Sequence, residues 1–506
     1  MSETCTTTLR LKNLGINTYK DAILYIRKDC NVCAAEGFEV QTRVRVNFKG
    51  RSLITTVQII ESDLLTYEEA SLSTYAWSYL QAQEGEDLFI FHHKQLASLG
   101  FVRSKLYGHT LSQNEINEII KDISKSRFSD INLSMFLAGC VGGRLNGEEI
   151  FYLTNAMLQS GSRLHWGSQV VVDKHCVGGL PGNRTTLIVI PIVAAFGLMI
   201  PKTSSRAITS PAGTADVMEV FAPVELDLKS MRRVVEKENG CIIWGGTVSL
   251  SPVDDVLISI ERIMDLDSEG QMVASVLSKK IAAGSTNILI DIPLGPTAKV
   301  RSISMANLVK AHMEAISRKF GIETKVILSD GTQPIGQGIG PALEARDVLA
   351  VLSCDKNAPQ DLREKALLLA GEIIEFSPTI QKGEGVKIAH HILESGQALQ
   401  KFQNICLVQG GFSEIPKAHH THEITAVSSG IVSNIDNRRL ARLAKLTGAP
   451  HVKVAGLEIL VKLDHFVERH QPLIILHANS LEQINYALSY YEIESDMIKI
   501  TEMISR

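Results

Sequence analysis

The sequence predicts a multidomain α/β protein built around a mainly parallel sheet. From Gln169 onward, short apolar runs alternate with helical runs, the pattern of a parallel sheet between helical layers. That alternation is interrupted between Asp254 and Ala283, where only helical spacing is found. It is preceded by a helical stretch from 92 to about 162 and by a β-rich stretch from 1 to about 90. A chain of 506 residues is long enough for about three or four domains of 100–200 residues, each with its own core.

In VQTRVRVNF, the residues Val40, Thr42, Val44, Val46 and Phe48 share one face and Gln41, Arg43, Arg45 and Asn47 the other, which is a half-buried strand. Gly50 turns into a second β-rich run, TTVQII, and from Ser62 the spacing lengthens to that of helices. Ser112 with Glu115 forms a capping-box pattern that opens a helix. Asn146 to Ser160 is a further helix with Gly161 at C′. QVVVD is a short strand, followed by a glycine-rich loop, the apolar helix TTLIVIPIVAAFG and the strand LMIPK. Later strands fall at 241–244, 287–292 and 325–329. Beyond Ala426, SSGIVSNID and LEILVKL read as strands, and NRRLARLAKLTGAP as a helix closed by Gly448 and Pro450.

Composition narrows the function. The 45% apolar and 21% charged fractions are those of an ordinary globular protein, and a net charge of −4 marks no surface for nucleic acid or anionic membrane. No apolar run approaches the ~20 residues that span a bilayer. The N-terminus MSETCTTTLR lacks a basic-then-apolar signal segment, and eight unpatterned cysteines suit a reducing compartment, so a cytoplasmic location is expected. Cys30 and Cys33 have the spacing of half a zinc site or a redox pair, but no second pair follows and chance spacing of two ordinary thiols is favoured.

Two polar loops carry the chemistry. Lys174-His175-Cys176-Val177-Gly178-Gly179-Leu180-Pro181-Gly182-Asn183-Arg184-Thr185-Thr186 joins a strand to a helix. Its glycines let backbone N–H groups converge, the helix N-terminus adds partial positive charge, and Lys174, Thr185 and Thr186 add donors suited to phosphate. It is neither a Walker A loop nor a dinucleotide fingerprint. The second loop, Lys202 to Asp216, is dense in Ser and Thr hydroxyls with one Lys and one Arg. Both follow strands, and in an open α/β sheet such loops meet beyond the strand C-termini. A shared anion site and a plain solvated turn are both consistent with these residues alone. A lone His175 is likewise more often structural than catalytic. Asp254 and Asp255 follow Ser251-Pro252 and belong in the first turn of a helix, where carboxylates favour the dipole, rather than in a magnesium pair.

KHCVGGLPGN, KTSSRAITSPAGTAD, LSKKIAAGSTN and DGTQPIGQGIGPALEARDVL, together with SSGIVSNIDNRRLARLAKLTGAP, resemble the thymidine and pyrimidine-nucleoside phosphorylases. The extra N-terminal region and the SRAITSPAGTAD wording resemble a branch that also holds the archaeal AMP phosphorylases. The resemblance implies a β-rich N-terminal domain (1–90), a small discontinuous helical domain (91–165 with 254–284), a large α/β domain (166–253 with 285–424) and a C-terminal α+β domain (425–506). It implies a phosphate-dependent pentosyltransferase, without metal or other cofactor, that takes a small nucleoside and phosphate and forms a homodimer or higher oligomer. By resemblance Lys174, Thr186, Ser204 and Thr214 fall on phosphate-binding positions and His175 on the histidine that assists departure of the pyrimidine. Arg262, Ser275 and Lys279 fall on base-binding positions. In the AMP phosphorylase pattern the matching positions are Gly179, the run Ser205, Arg206, Thr209 and Ser210, then Thr214, Ser275 and Lys299, with Asp267 as proton donor. Two departures bear on substrate: Cys176 stands where the thymidine phosphorylase loop usually has serine, and SRAITSPAGT replaces GRGLGHTGGT.

These residue types suit the reaction. Breaking a ribosyl–base bond builds positive charge on the sugar and negative charge on the base, so phosphate has to be desolvated and aimed at C1′ while the base receives a proton or hydrogen bonds. Thymidine phosphorolysis is the leading expectation. AMP phosphorolysis, a Mg²⁺-dependent phosphoribosyltransferase and a non-catalytic nucleotide binder are the alternatives; His175, Arg262 and Lys279 together argue against the last.

Overall fold

The computed structural model describes residues 8–19, 21–93, 96–167, 170–207, 210–264, 266 and 268–502. The chain forms two compact units, Met1–Tyr107 with Lys121–Phe136, and Gly108–Ile120 with Leu137–Arg506. Among the described residues no helix is long and apolar enough to cross a membrane.

In the first unit six strands close a barrel: Thr8–Leu11, Glu69–Leu72, Ile23–Arg27, Arg51–Ile60, Arg43–Phe48 and Asp87–His92, in that spatial order. Alternate residues fill it, among them Leu24, Ile26, Val44, Val46, Val57 and Leu72, all almost fully buried. Two expectations are corrected. Val40 lies outside the strand and is exposed, because the ladder to the neighbouring strand starts only at Arg43. Beyond Ser62 the chain is only briefly helical. It forms the strand Glu69–Leu72, the short helix Thr74–Leu80 and the strand Asp87–His92, since closing the barrel takes two further strands. Cys30 and Cys33 are core residues here. Cys30 caps the helix Asn31–Glu36, its Sγ accepting from the Cys33 backbone N–H at 3.3 Å, and burial pushes the Cys33 thiol up to about 12.

The second unit holds the sheet. Glu323–Asp330, Asn287–Leu294 and Val172–Cys176 are parallel neighbours, as are Ile200–Ser204 and Gly240–Trp244. A parallel bridge between Val171 and Met199 joins the two sets into one five-stranded order. The helix Thr185–Phe196 is apolar all round, as a helix buried on every side should be, and most of its residues are inaccessible. Pro191 sits within it. The helices Pro252–Met264 and Glu269–Ala282 interrupt the strands, and the second packs along the helix Gly147–Gln159, which opens on the Asn146–Glu149 capping box. After the sheet, four strands in the order Gly338–Ile339, Gly456–Ile459, Pro472–Ala478 and His420–Thr425 pack with the helices Asn437–Leu446 and Leu481–Ile493 around one apolar core.

The strand expected at QVVVD lies further along the chain. It runs Val172–Cys176 and includes Asp173, Lys174 and His175. The polar residues read as loop because nothing near them in sequence reveals their partners. In the fold they pair edge to edge with the apolar run Asn287–Asp291.

Candidate active site

Strand order places the site. After Val172–Cys176 the chain steps to Ile200–Ser204 and Gly240–Trp244 on one side, then crosses back to Asn287–Leu294 and Glu323–Asp330 on the other. A reversal of this kind leaves a crevice beyond the strand C-termini, where open α/β sheets bind ligands. The loop after Cys176 and the loop after Leu294 meet there. Gly179 has φ +83°, and a Cβ on it would come 2.4 Å from the Lys299 backbone nitrogen, so only glycine permits this approach.

Lys174 is fully buried, and its ammonium donates to Thr185 Oγ1 at 2.7 Å and Thr186 Oγ1 at 3.3 Å. Among the described residues it makes no ion pair, and burial lowers its proton affinity. Those threonines open the helix Thr185–Phe196, so its N-terminal dipole and free N–H groups face the same place. Ser204 ends the neighbouring strand, and its buried hydroxyl has no hydrogen-bond partner among the described residues. A buried polar atom left in this way costs stability unless something else satisfies it.

Beneath these donors lies a charge network that the loop motifs do not announce. Asp173 is inaccessible and pairs with Lys202 at 3.2 Å and Lys280 at 2.8 Å. Lys202 also donates to the Lys174 carbonyl at 2.5 Å. Burial alone would raise the Asp173 carboxyl, but the two lysines outweigh it and hold it below its ordinary range. Burial draws Lys280 down to about 7 against the opposing pull of Asp173. On the next strand Asp291 pairs with Lys365 at 3.0 Å and accepts from Ser329 at 2.5 Å.

His175 is partly exposed at the strand end. Desolvation, reinforced by Lys280, Lys202, Lys279 and Lys174, pushes its imidazole well below the ordinary value. The sequence alone places its titration near neutrality. Burial, reinforced by lysines scattered from 174 to 280 in the chain, instead keeps the ring neutral. A neutral imidazole offers one N–H donor and one acceptor.

The remaining expected positions divide. Thr214 begins the helix Thr214–Phe221, and its Oγ1 accepts from Arg184 at 3.3 Å. Ser210 donates to the Ala212 carbonyl at 2.9 Å, and Ser205 is exposed. Arg206 is committed elsewhere. Its guanidinium donates to Glu219 at 2.8 Å, Glu225 at 2.9 Å and Asp216 at 3.3 Å and stacks over Trp244 at 4.9 Å, so three carboxylates and an indole take up the charge expected to face phosphate. Ser275 and Lys279 lie one turn apart on the helix Glu269–Ala282, both half-buried, and Lys279 pairs with the inaccessible Asp254. Asp254 is in the first turn of its helix, as expected. Arg262 is exposed near the end of the helix Pro252–Met264, and its charge is felt by Lys445, whose proton affinity it lowers after burial. Lys299 is half-buried beside Gly179. Thr209 and Asp267 lie outside the described residues.

Residues 168–399 match the glycosyl transferase family, a/b domain, and residues 100–161 its helical bundle domain. A Legionella pneumophila (strain Corby) protein named "putative thymidine phosphorylase" is 56% identical over 98% of this chain and 96% of its own. A protein of the same name from Hahella chejuensis is 52% identical over 98% of both chains. The chain belongs to the thymidine phosphorylase family of glycosyl transferases. It is therefore a pentosyltransferase of the nucleoside phosphorylase type. Among solved structures, anthranilate phosphoribosyltransferase from Thermus thermophilus aligns with a TM-score of 0.52 at 17% identity, covering 61% of this chain and 98% of that one. The Saccharomyces cerevisiae enzyme of that name, in complex with PRPP and Mg, aligns at 0.50 and 17%, covering 63% and 99%. At that identity the likeness is one of fold.

Proposed function

We propose that this enzyme phosphorolyses thymidine to thymine and 2-deoxy-D-ribose 1-phosphate. The observation that carries the reading is the pairing of a buried Lys174 ammonium, engaged only by two threonine hydroxyls among the described residues, with the orphaned Ser204 hydroxyl at the switch point of the sheet. A buried ammonium without a carboxylate partner and an orphaned hydroxyl, at the ends of neighbouring strands, suit an oxyanion. In this reading a phosphate oxygen held there attacks C1′, the C1′–N1 bond breaks, and the base leaves with the bonding pair. Ser275 and Lys279 hold the base, and neutral His175 donates a hydrogen bond to it rather than a full proton. Assembly as a homodimer belongs to the same reading and is checked by light scattering.

The test is release of free base from thymidine, uridine, cytidine, AMP, CMP and UMP, with and without phosphate. Phosphate-dependent release of thymine, strongest among the six substrates, is expected. Preference for AMP would replace thymidine with a nucleotide substrate. Undiminished release without phosphate would mean a hydrolase, and activity confined to PRPP with Mg²⁺ a phosphoribosyltransferase.

A further inference from the structure

Arg184 is the N-cap residue of the helix Thr185–Phe196, at the edge of the proposed phosphate cradle, yet its guanidinium is engaged by protein groups on three sides. Nε pairs with Glu344 Oε2, Nη2 donates to the Ala212 carbonyl at 2.9 Å, and Nη1 donates to Thr214 Oγ1 at 3.3 Å. Glu344 is 1% exposed, belongs to the helix Pro341–Leu352, and accepts the Gly340 N–H on its other oxygen at 3.1 Å. One rigid fork thus ties the first polar loop to the end of the second and fastens both to a buried carboxylate on a third segment. Lysine, a point charge on a flexible stem, cannot reproduce those three directions.

The consequence lies in the Thr214 hydroxyl, which has one proton and two lone pairs. Because Oγ1 accepts from Arg184, its own proton is left to donate, and among the described residues it has no acceptor. We propose that Arg184 is a positioning residue that aims the Thr214 O–H at the anion, with Glu344 holding Arg184 in register; this rests on reading the crevice as a phosphate site.

Calorimetric titration with inorganic phosphate, alongside steady-state kinetics, tests it. Arg184→Gln and Thr214→Val are each expected to weaken phosphate binding about tenfold, the worth of one hydrogen bond to a charged group, while the KM for nucleoside changes by less than about twofold. The double variant Arg184→Gln/Thr214→Val is expected to bind phosphate no worse than either single one, because both remove the same hydrogen bond. Losses that multiply would overturn the inference, as would full rescue by Arg184→Lys. Should the single variants fold poorly, Arg184→Met/Glu344→Leu replaces the buried pair with apolar volume and is expected to keep the fold but not the phosphate affinity. Wild-type phosphate affinity in that variant would refute the positioning role. Failure of the wild-type enzyme to bind phosphate would overturn the phosphorylase reading itself, and this inference with it. Normal wild-type binding with an unchanged Arg184→Gln variant would overturn this inference alone.

Discussion

Lys280 lies 2.8 Å from Asp173 Oδ2 and shares that inaccessible carboxylate with Lys202, which stands 3.2 Å from Oδ1. Asp173→Asn removes the counter-charge of two buried ammonium groups and is expected to cost about 3 kcal/mol of stability at neutral pH, in line with breaking a buried ion pair from one side. Because Lys280 titrates at about 7, the loss should shrink as pH rises and that ammonium sheds its proton. Urea denaturation of wild type and variant at pH 6 and pH 9 reads both effects; a loss that does not diminish at pH 9 would contradict the assignment.

Ser204→Ala separates function from folding. Its hydroxyl has no partner to lose among the described residues, so the variant should match or slightly exceed the wild type in thermal midpoint. Its KM for phosphate should rise about tenfold. A lowered midpoint with unchanged KM would assign Ser204 a structural role.

His175 is held neutral by desolvation and four surrounding lysines. In the unfolded chain the ring titrates near 6.5. Since the folded value lies below the unfolded one, the contribution to stability is complete above about pH 6.5 and is lost as pH falls through that value toward the folded one. His175→Asn should therefore flatten the stability profile on the acid side. In ¹⁵N NMR the ring should stay neutral from pH 8 to pH 6 without phosphate and protonate at higher pH once the anion is bound, because nearby negative charge favours imidazolium. A ring that titrates near 6.5 in the free enzyme would refute this.

Gly179→Ala would place a methyl group 2.4 Å from the Lys299 backbone nitrogen at a left-handed φ. The loops after Cys176 and Leu294 would be forced apart, with a stability cost of about 1–3 kcal/mol from the strained backbone alone. Loss of phosphate affinity, with circular dichroism that still reports a folded chain, is the expected result.

Much of the sheet was legible because its strands at 241–244 and 287–292 are apolar runs bounded by turn residues, as buried parallel strands are, and the half-buried edge strand at 325–329 keeps an apolar centre around Val326. The Ser112–Glu115 cap was legible because capping is a local bond. Less could be read where a residue's partner is distant in sequence. Asp173 takes its partners from positions 202 and 280, and Arg184 pairs with Glu344. Charge and the AMP phosphorylase pattern made Arg206 look like an anion ligand, although the acids that claim it lie only 10 to 19 residues further on. The adjacent lysines 279 and 280 likewise take their acceptors, Asp254 and Asp173, from distant positions.

That lysine doublet constrains how the enzyme can change over time. Successive residues on a helix point about 100° apart, and each added residue advances the axis by about 1.5 Å. Lys279 reaches Asp254 and Lys280 reaches Asp173 only while the helix Glu269–Ala282 keeps its phase. A single-residue insertion or deletion between Glu269 and Lys279 would swing both ammonium groups off both aspartates together. Substitutions along this helix can be sampled one at a time, but changes in its length cannot, so relatives that retain the chemistry should vary here in residue identity and not in residue number.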